Sequence, residues 1–396
     1  AHAGSAAGVL RLRSRPKPKM LVWHPEAIDW IFRFDQRMHH PGSRSLTPLF
    51  GRRSLLWADG PRHAAYRQLL GPPLRGRRLA AYRGIIASIV HAAIDELAPG
   101  SEVALAVWTR RLALRIVARI VLGRADEEPM AAFTAWIDRA LGARHRTLAY
   151  RYLAGGLPES STELDRTLVG TAKSTVDMAP APLSALMLSG AGPLGPVDDI
   201  ELRDAIVSLL FAGHETTASA AAWTLYWLDR DPRIRQEVVA ELTGTPDGSD
   251  AARVPLLQAV ISETLRLAPP VTVAGNRTLT EDAELLGRPL AAGATLTPSI
   301  YLAHHHPGRF PNPGRFDPDR FLGGRVPSAH YFPFGGGSRY CLGSQLAQLE
   351  LRMITAAVLS RVRWRCVNPG AAVPRLRGHA MAPDSRLLMS VRSCRG

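Results

Sequence analysis

The sequence predicts a mainly α-helical fold with a smaller β-containing lobe. From Pro61 to Glu241 apolar residues recur at helical spacing. Between Val271 and Thr297 short runs rich in β-branched residues take their place, with Gly287-Arg288 as a hairpin turn. A Pro-, Gly- and Phe-rich coil, Pro307–Gly337, then separates this region from one more helix and a terminal strand.

The elements follow in order. Leu10–Arg13 and Met20–Trp23 read as short strands, and His24-Pro25 opens a helix with proline in its first turn. Helical periodicity marks Arg78–Leu97, Ala104–Leu122, Pro129–Leu141 and Thr162–Met178. A long helix starts at the Asp198-Asp199 cap and runs to about Leu228. Another, Val254–Leu267, stops before Pro269-Pro270, which cannot continue it. Val271–Thr280, Ala283–Leu286 and Ala294–Thr297 are expected strands, Ser344–Val362 a helix, and Ser385–Val391 a closing strand.

With 396 residues, 46% of them hydrophobic and 21% charged, the chain can bury a large core. No flexible linker or fixed-period repeat divides it, so residues 1–396 are expected to form a single domain. The longest apolar stretches, Leu105–Leu122 and Ile206–Leu228, meet Arg, His or Glu well before bilayer length, so no membrane anchor is expected. Ala1–Gly8 lacks the basic start and apolar run of a signal peptide. Cys341, Cys366 and Cys394 are too few and too far apart for a disulfide framework, which fits a reducing cytoplasm. The formal net charge is +15, and lysine occurs only at Lys17, Lys19 and Lys173. Apart from a small cluster at Arg75–Arg78 the arginines are scattered, so no nucleic-acid partner is expected. An Ala/Arg-biased composition and a basic face for an acidic partner protein remain as readings.

The segment with the most specific chemistry is Phe334-Gly335-Gly336-Gly337-Ser338-Arg339-Tyr340-Cys341-Leu342-Gly343. Successive glycines allow unusual dihedrals and close approach to a flat ligand. Cys341 precedes the helix expected from Ser344, where unpaired amides and the helix dipole favour a thiolate. Arg339 can meet an anionic group on the same side. A thiolate beside a flat, anion-bearing ligand suggests haem. A cysteine taken alone in such a turn is more often a packing residue, and the full spacing decides between the two. It matches F-x-x-G-x-R-x-C-x-G at every defined position, and on that motif the chain resembles the cytochrome P450 family.

The resemblance implies the cytochrome P450 fold and haem b, with Cys341 as axial iron ligand. Phe334 packs near the thiolate, Gly335, Leu342 and Gly343 belong to the haem-binding loop, and Arg339 pairs with a propionate. Cys366 and Cys394 match no motif.

In the long helix, Ala212-Gly213-His214-Glu215-Thr216-Thr217 resembles the family's A-G-x-[DE]-T-T. A mid-helix threonine can bond back to the carbonyl four residues earlier, here Ala212, and open the helix locally. Oxygen activation consumes protons, which a hydroxyl and a neighbouring carboxylate relay through water. Thr216 is therefore the expected oxygen-activating hydroxyl and Glu215 the relay acid, with Ala212 beside the cofactor. Taken alone, the same residues could be a satisfied core threonine and a glutamate salt-bridged elsewhere. His214 occupies the motif's variable position.

Glu263 and Arg266 form an E-x-x-R on one helix face. The pattern recurs at Glu163–Arg166 without matching context, whereas the first lies ahead of Arg315–Phe321. In the family such a pair joins an arginine of that segment, here Arg320, to hold the cysteine loop. His63 and Arg67, one turn apart, resemble the family's H-x-x-x-R propionate contact, and Arg277 matches a further propionate arginine. His304-His305-His306 has no spaced ligand set around it and reads as structural.

The resemblance implies a monooxygenase that hydroxylates or epoxidises a lipophilic small molecule. No flavin domain, dinucleotide fingerprint or iron–sulfur cysteine set is fused to the chain, so ferredoxin and ferredoxin reductase are the expected partners. The expected pocket draws on the loop before Pro61, the Tyr150–Met178 segment, Leu209, Val271, Val273 and the turn near Met381. The soluble, Ala/Arg-rich character resembles enzymes of natural-product pathways, which points to a polyketide or terpenoid scaffold. The alternatives are a family member that runs on peroxide, couples or rearranges its substrate; a haem-thiolate sensor; and a basic protein without haem.

Overall fold

A computed structural model describes residues 8–42, 46–141, 162–243, 254–324, 326–377 and 380–394. In chain order the helices are α1 (Pro25–Arg33), α2 (Thr47–Phe50), α3 (Gly60–Leu70), α4 (Arg83–Asp95), α5 (Leu105–Leu122) and α6 (Glu127–Leu141). They continue as α7 (Thr162–Ser174), α8 (Leu183–Leu188), α9 (Asp199–Arg230), α10 (Pro232–Thr243), α11 (Pro255–Leu267), α12 (Ile300–His304) and α13 (Ser344–Arg361). The strands are β1 (Val9–Arg13), β2 (Lys19–Val22), β3 (Met38–His39), β4 (Glu102–Ala104), β5 (Arg277–Leu279) and β6 (Ala283–Leu285). The remainder are β7 (Arg288–Leu290), β8 (Thr295–Pro298), β9 (Val362–Cys366), β10 (Pro374–Arg377), β11 (Ala380–Pro383) and β12 (Leu388–Cys394). Helices dominate and the strands are short, which is the fold class the sequence predicts.

Local chemistry explains the main boundaries. Asp59 caps α3, accepting from the Gly60 amide at 3.0 Å, with Pro61 in the first turn. Asp198 accepts the Glu201 amide at 2.9 Å and so starts α9, which runs 32 residues. Pro269-Pro270 follows the end of α11. The Arg78–Leu97 region enters through a 3-10 stretch, Gly76–Tyr82, before α4 begins. The long strand expected over Val271–Thr280 is only β5 plus an isolated bridge from Val273 to Ser299. The hairpin turn sits one residue earlier than expected, with Leu286 and Gly287 both at positive φ.

The chain divides into two compact units, each assembled from separate stretches. The first combines residues 1–42 with 223–344. Its sheet has the order β1-β2-β8-β5-β3, in which only β2 and β8 run parallel, Met20 opposite Leu296. Trp23, Ile28, Ile31, Leu296, Ile300 and Phe332 form its buried centre. The second unit combines residues 43–222 with 345–396 and holds most of the helices. Its strands pair as β4-β12-β9 and as the hairpin β10-β11. Among the described residues no helix is long and apolar enough to cross a membrane.

Candidate active site

In the first unit the cysteine loop takes its shape from local backbone turns. Gly335 and Gly337 take φ of +70° and +67°, a region that L side chains rarely enter. The turn they allow lets the Gly335 amide donate to Phe332 O at 2.9 Å and the Cys341 amide donate to Phe334 O at 2.9 Å. Gly336 lies against Phe32, where an added Cβ would come within 2.4 Å of the ring. Cys341 is exposed and outside any disulfide, and α13 begins three residues later. Phe334 and Tyr340 pack at 6.3 Å between ring centroids, while Arg339, Leu342 and Gly343 are half-buried.

Two buried arginines hold the surroundings of this loop. Arg266, fully buried, makes paired bonds of 2.6 and 2.8 Å to Glu263 and donates to the carbonyls of His304, Pro313 and Arg315. Arg320 reaches the same carboxylate at 3.5 Å, and Glu263 also accepts the Asp317 amide at 2.9 Å. Glu263, Arg266 and Arg320 are thus brought together as one cluster. Arg277, expected at a propionate by resemblance, also braces this loop. Its Nε donates to Asp35 at 2.7 Å, its Nη2 to Gly336 O at 2.8 Å, and its Nη1 to Gly275 O. At 1% exposure, these bonds use three of the five guanidinium N–H groups and brace the loop. The three histidines have local roles: His304 Nε2 accepts the Phe332 amide, His305 Nδ1 meets Tyr301 O, and His306 Nδ1 accepts the Gly308 amide.

In the second unit α9 supplies the other chemistry. Between Asp204 and Tyr226 every residue is buried except Leu209, Ala212, Gly213 and Thr216, which share one helical stripe. The Thr216 hydroxyl donates to Ala212 O at 2.8 Å on that stripe. Gly213 lets α5 approach, since an added Cβ would stand 2.5 Å from Val117. Glu215 lies in a buried charge cluster. Arg110 of α5 pairs with Glu215 at 2.7 Å and with both oxygens of Asp138 on α6 at 2.8 and 3.0 Å. His214, fully buried, is 3.3 Å from both Arg110 and Glu215. Burial alone would lower the Arg110 pKa; the two carboxylates more than offset it and raise the pKa. His63 and Arg67 are half-buried, one turn apart on α3. Met381 on β11 accepts a hydrogen bond from the Ser219 hydroxyl through its carbonyl.

Of the expected pocket residues, Leu209, Met381 and Val271 are half-buried and Val273 is exposed. The first part of the Tyr150–Met178 segment lies outside the described residues. Asp35, Arg110, Asp138 and Ser338 were not expected. Arg110 had a readable signal: Ala106, Arg110, Ala113 and Val117 share the buried face of α5, while Arg111 points outward. Asp35 had none.

A cytochrome P450 family model matches residues 6–388. A Mycobacterium tuberculosis protein provisionally named cytochrome P450 135B1 is 32% identical over 390 residues, covering 94% of this chain and 81% of its own length. Cyclooctat-9-en-7-ol 5-monooxygenase of Streptomyces melanosporofaciens is 30% identical over 396 residues, covering 92% of this chain and 84% of its own. The solved structure of retinoic acid-bound cyanobacterial CYP120A1 is similar at a TM-score of 0.85 and 26% identity, over 98% of this chain and 92% of that one. The chain belongs to the cytochrome P450 family. It is a haem b oxidoreductase of the monooxygenase class.

The residues present fit that cofactor. Cys341 offers a thiol at the foot of α13, and Cβ atoms added at Gly335 or Gly343 would meet nothing within 4 Å, so bare backbone is available to a flat ring.

Proposed function

We propose that this chain inserts one atom of O₂ into a lipophilic natural-product scaffold, most closely a terpenoid, with electrons from ferredoxin and ferredoxin reductase. Residues 1–396 then act as one cytochrome P450 domain in the cytoplasm. Haem held by the Cys341 thiolate supplies the oxygen-activating iron. Phe334, Gly335, Leu342 and Gly343 surround that ligand, and Arg339, His63, Arg67 and Arg277 hold the propionates. Leu209, Val271, Val273 and Met381 contribute apolar surface to the substrate pocket. Support for the terpenoid comes from the Streptomyces relative named for oxidising cyclooctat-9-en-7-ol. Support for an acidic redox partner comes from Arg75, Arg77 and Arg78, all exposed. The Gly76 amide between them donates to Gln345 at the start of α13, 2.9 Å away.

The observation carrying the oxygen-insertion reading is the Thr216 hydroxyl, back-bonded to Ala212 O on the one open stripe of a buried helix. Its donation to the carbonyl leaves the oxygen lone pairs free to accept from water, and a rotation releases the proton. Glu215 is the acid behind it, exchanging its Arg110 pairing for a water-linked path to Thr216. Thr216→Ala is expected to keep NAD(P)H consumption within several-fold of wild type while most reducing equivalents leave as hydrogen peroxide instead of oxidised product. Tightly coupled turnover in Thr216→Ala would contradict the assignment and favour a peroxide-driven or rearranging enzyme.

A further inference from the structure

We propose that the buried Asp35–Arg277 pair is a clamp on the cysteine loop, which makes Asp35 and Arg277 positioning residues for the iron–thiolate bond. The inference rests on Cys341 being the axial ligand.

Both side chains are only 1% exposed, and each bonds to the same short turn. The Asp35 carboxylate accepts the Ser338 amide at 2.8 Å and also the Ser338 hydroxyl. The Arg277 guanidinium donates to Gly336 O at 2.8 Å, two residues earlier in the same turn. One ion pair thereby satisfies an acceptor and a donor that flank Gly337. A third contact closes the grip. Phe32 fills the space where a Gly336 side chain would stand, and the Arg277 guanidinium lies over the same ring, 5.5 Å from its centroid. His40 Nε2 approaches the remaining side of Asp35 at 3.2 Å, and Gly275 O takes the last Arg277 nitrogen.

The turn needs such an outside hold. Three consecutive glycines carry more backbone entropy than any other sequence, and folding must freeze it. Within the turn the Tyr340 amide donates to Gly337 O at 3.1 Å, and Cys341 follows directly. Rotation about Gly337 would therefore be transmitted to the sulfur. A buried ion pair is an inefficient way to add stability, because desolvating two charges costs nearly what their attraction returns. What the pair supplies that apolar packing cannot is direction, through donors and acceptors at fixed angles.

A positioning role and a purely stabilising one differ in what survives substitution. Asp35→Ala leaves Arg277 buried without its partner and frees the Ser338 amide. The double variant Asp35→Asn/Arg277→Gln removes both charges but retains a hydrogen-bonding group at each end. The test compares the dithionite-reduced carbon-monoxide spectra of the holoproteins, with amide hydrogen exchange at Gly337–Tyr340 and far-ultraviolet circular dichroism. Asp35→Ala is expected to shift at least several-fold more of the complex to the unshifted, thiolate-lost band while circular dichroism stays native. Exchange at Ser338 should rise tenfold or more, and the double variant should recover most of the red-shifted band. If Asp35→Ala does not fold, Ser338→Ala probes the same contact and is expected to speed conversion to the thiolate-lost form. Folded Asp35→Ala or Ser338→Ala with a wild-type spectrum and wild-type exchange would overturn the clamp. A wild-type protein without a red-shifted band would overturn the Cys341 reading instead.

Discussion

The Phe332 amide donates to His304 Nε2 at 3.0 Å, so that nitrogen must carry no proton in the folded state. Burial pushes the His304 pKa down from 6.5 to about 3, with the neighbouring His305 and Arg266 acting in the same direction. A base whose folded pKa is depressed contributes stability above its unfolded value and loses it as pH falls. Between about pH 6 and pH 5, folding should therefore weaken by about 1 kcal/mol through this group. His304→Gln, which keeps an acceptor but cannot titrate, is expected to flatten that slope in urea unfolding, even if its absolute stability is lower. An unchanged slope would show that other groups, such as His305, whose pKa burial also lowers, carry the acid sensitivity. Legibility at this scale followed sequence distance. The Thr216 bond to Ala212 O was readable because helix geometry fixes what lies four residues back. The partner of Arg277 was not, because Asp35 lies 242 residues away and belongs to no motif.

Two helices carry the same E-x-x-R spacing and give it opposite meanings. On α11 Glu263 and Arg266 are fully buried, and the guanidinium also ties down three loop carbonyls. On α7 Glu163 and Arg166 are both exposed. Glu263→Gln leaves a buried arginine without its countercharge and should cost about 3–5 kcal/mol, visible as a lowered unfolding midpoint and lost haem retention. Glu163→Gln should change stability by less than about 0.5 kcal/mol. Comparable effects from the two substitutions would contradict the anchoring role of α11. Helices this long were legible because their apolar phase repeats over several turns. The strands β3, β4, β7, β9, β10 and β11, of 2–5 residues, were missed. Over Val271–Thr280, β-branched residues suggested one long strand, but regular pairing is confined to Arg277–Leu279.

At the scale of the whole molecule, each compact unit joins stretches that are remote in sequence. The first brings α1 and the Asp35–Arg37 turn from the beginning of the chain to the cysteine loop near residue 341; Asp35 and Ser338 meet across that span. The second brings Arg110, Asp138 and Glu215 from three helices into one charge cluster. Periodicity reports neither, since it describes one element at a time. The cysteine motif was legible because its chemistry is contiguous: turn, ligand and helix start all lie between Phe334 and Ser344. The +15 net charge, almost all arginine, was ambiguous in sequence; the structure shows one exposed cluster, the Arg75–Arg78 turn next to Gln345. Everything proposed for function depends on one bond, between Cys341 and haem iron. The dithionite-reduced carbon-monoxide difference spectrum of wild type and Cys341→Ala tests it directly. A strongly red-shifted Soret band in wild type, lost in the folded variant, is the predicted result; an unshifted wild-type band, or a shifted band that survives in Cys341→Ala, would contradict it.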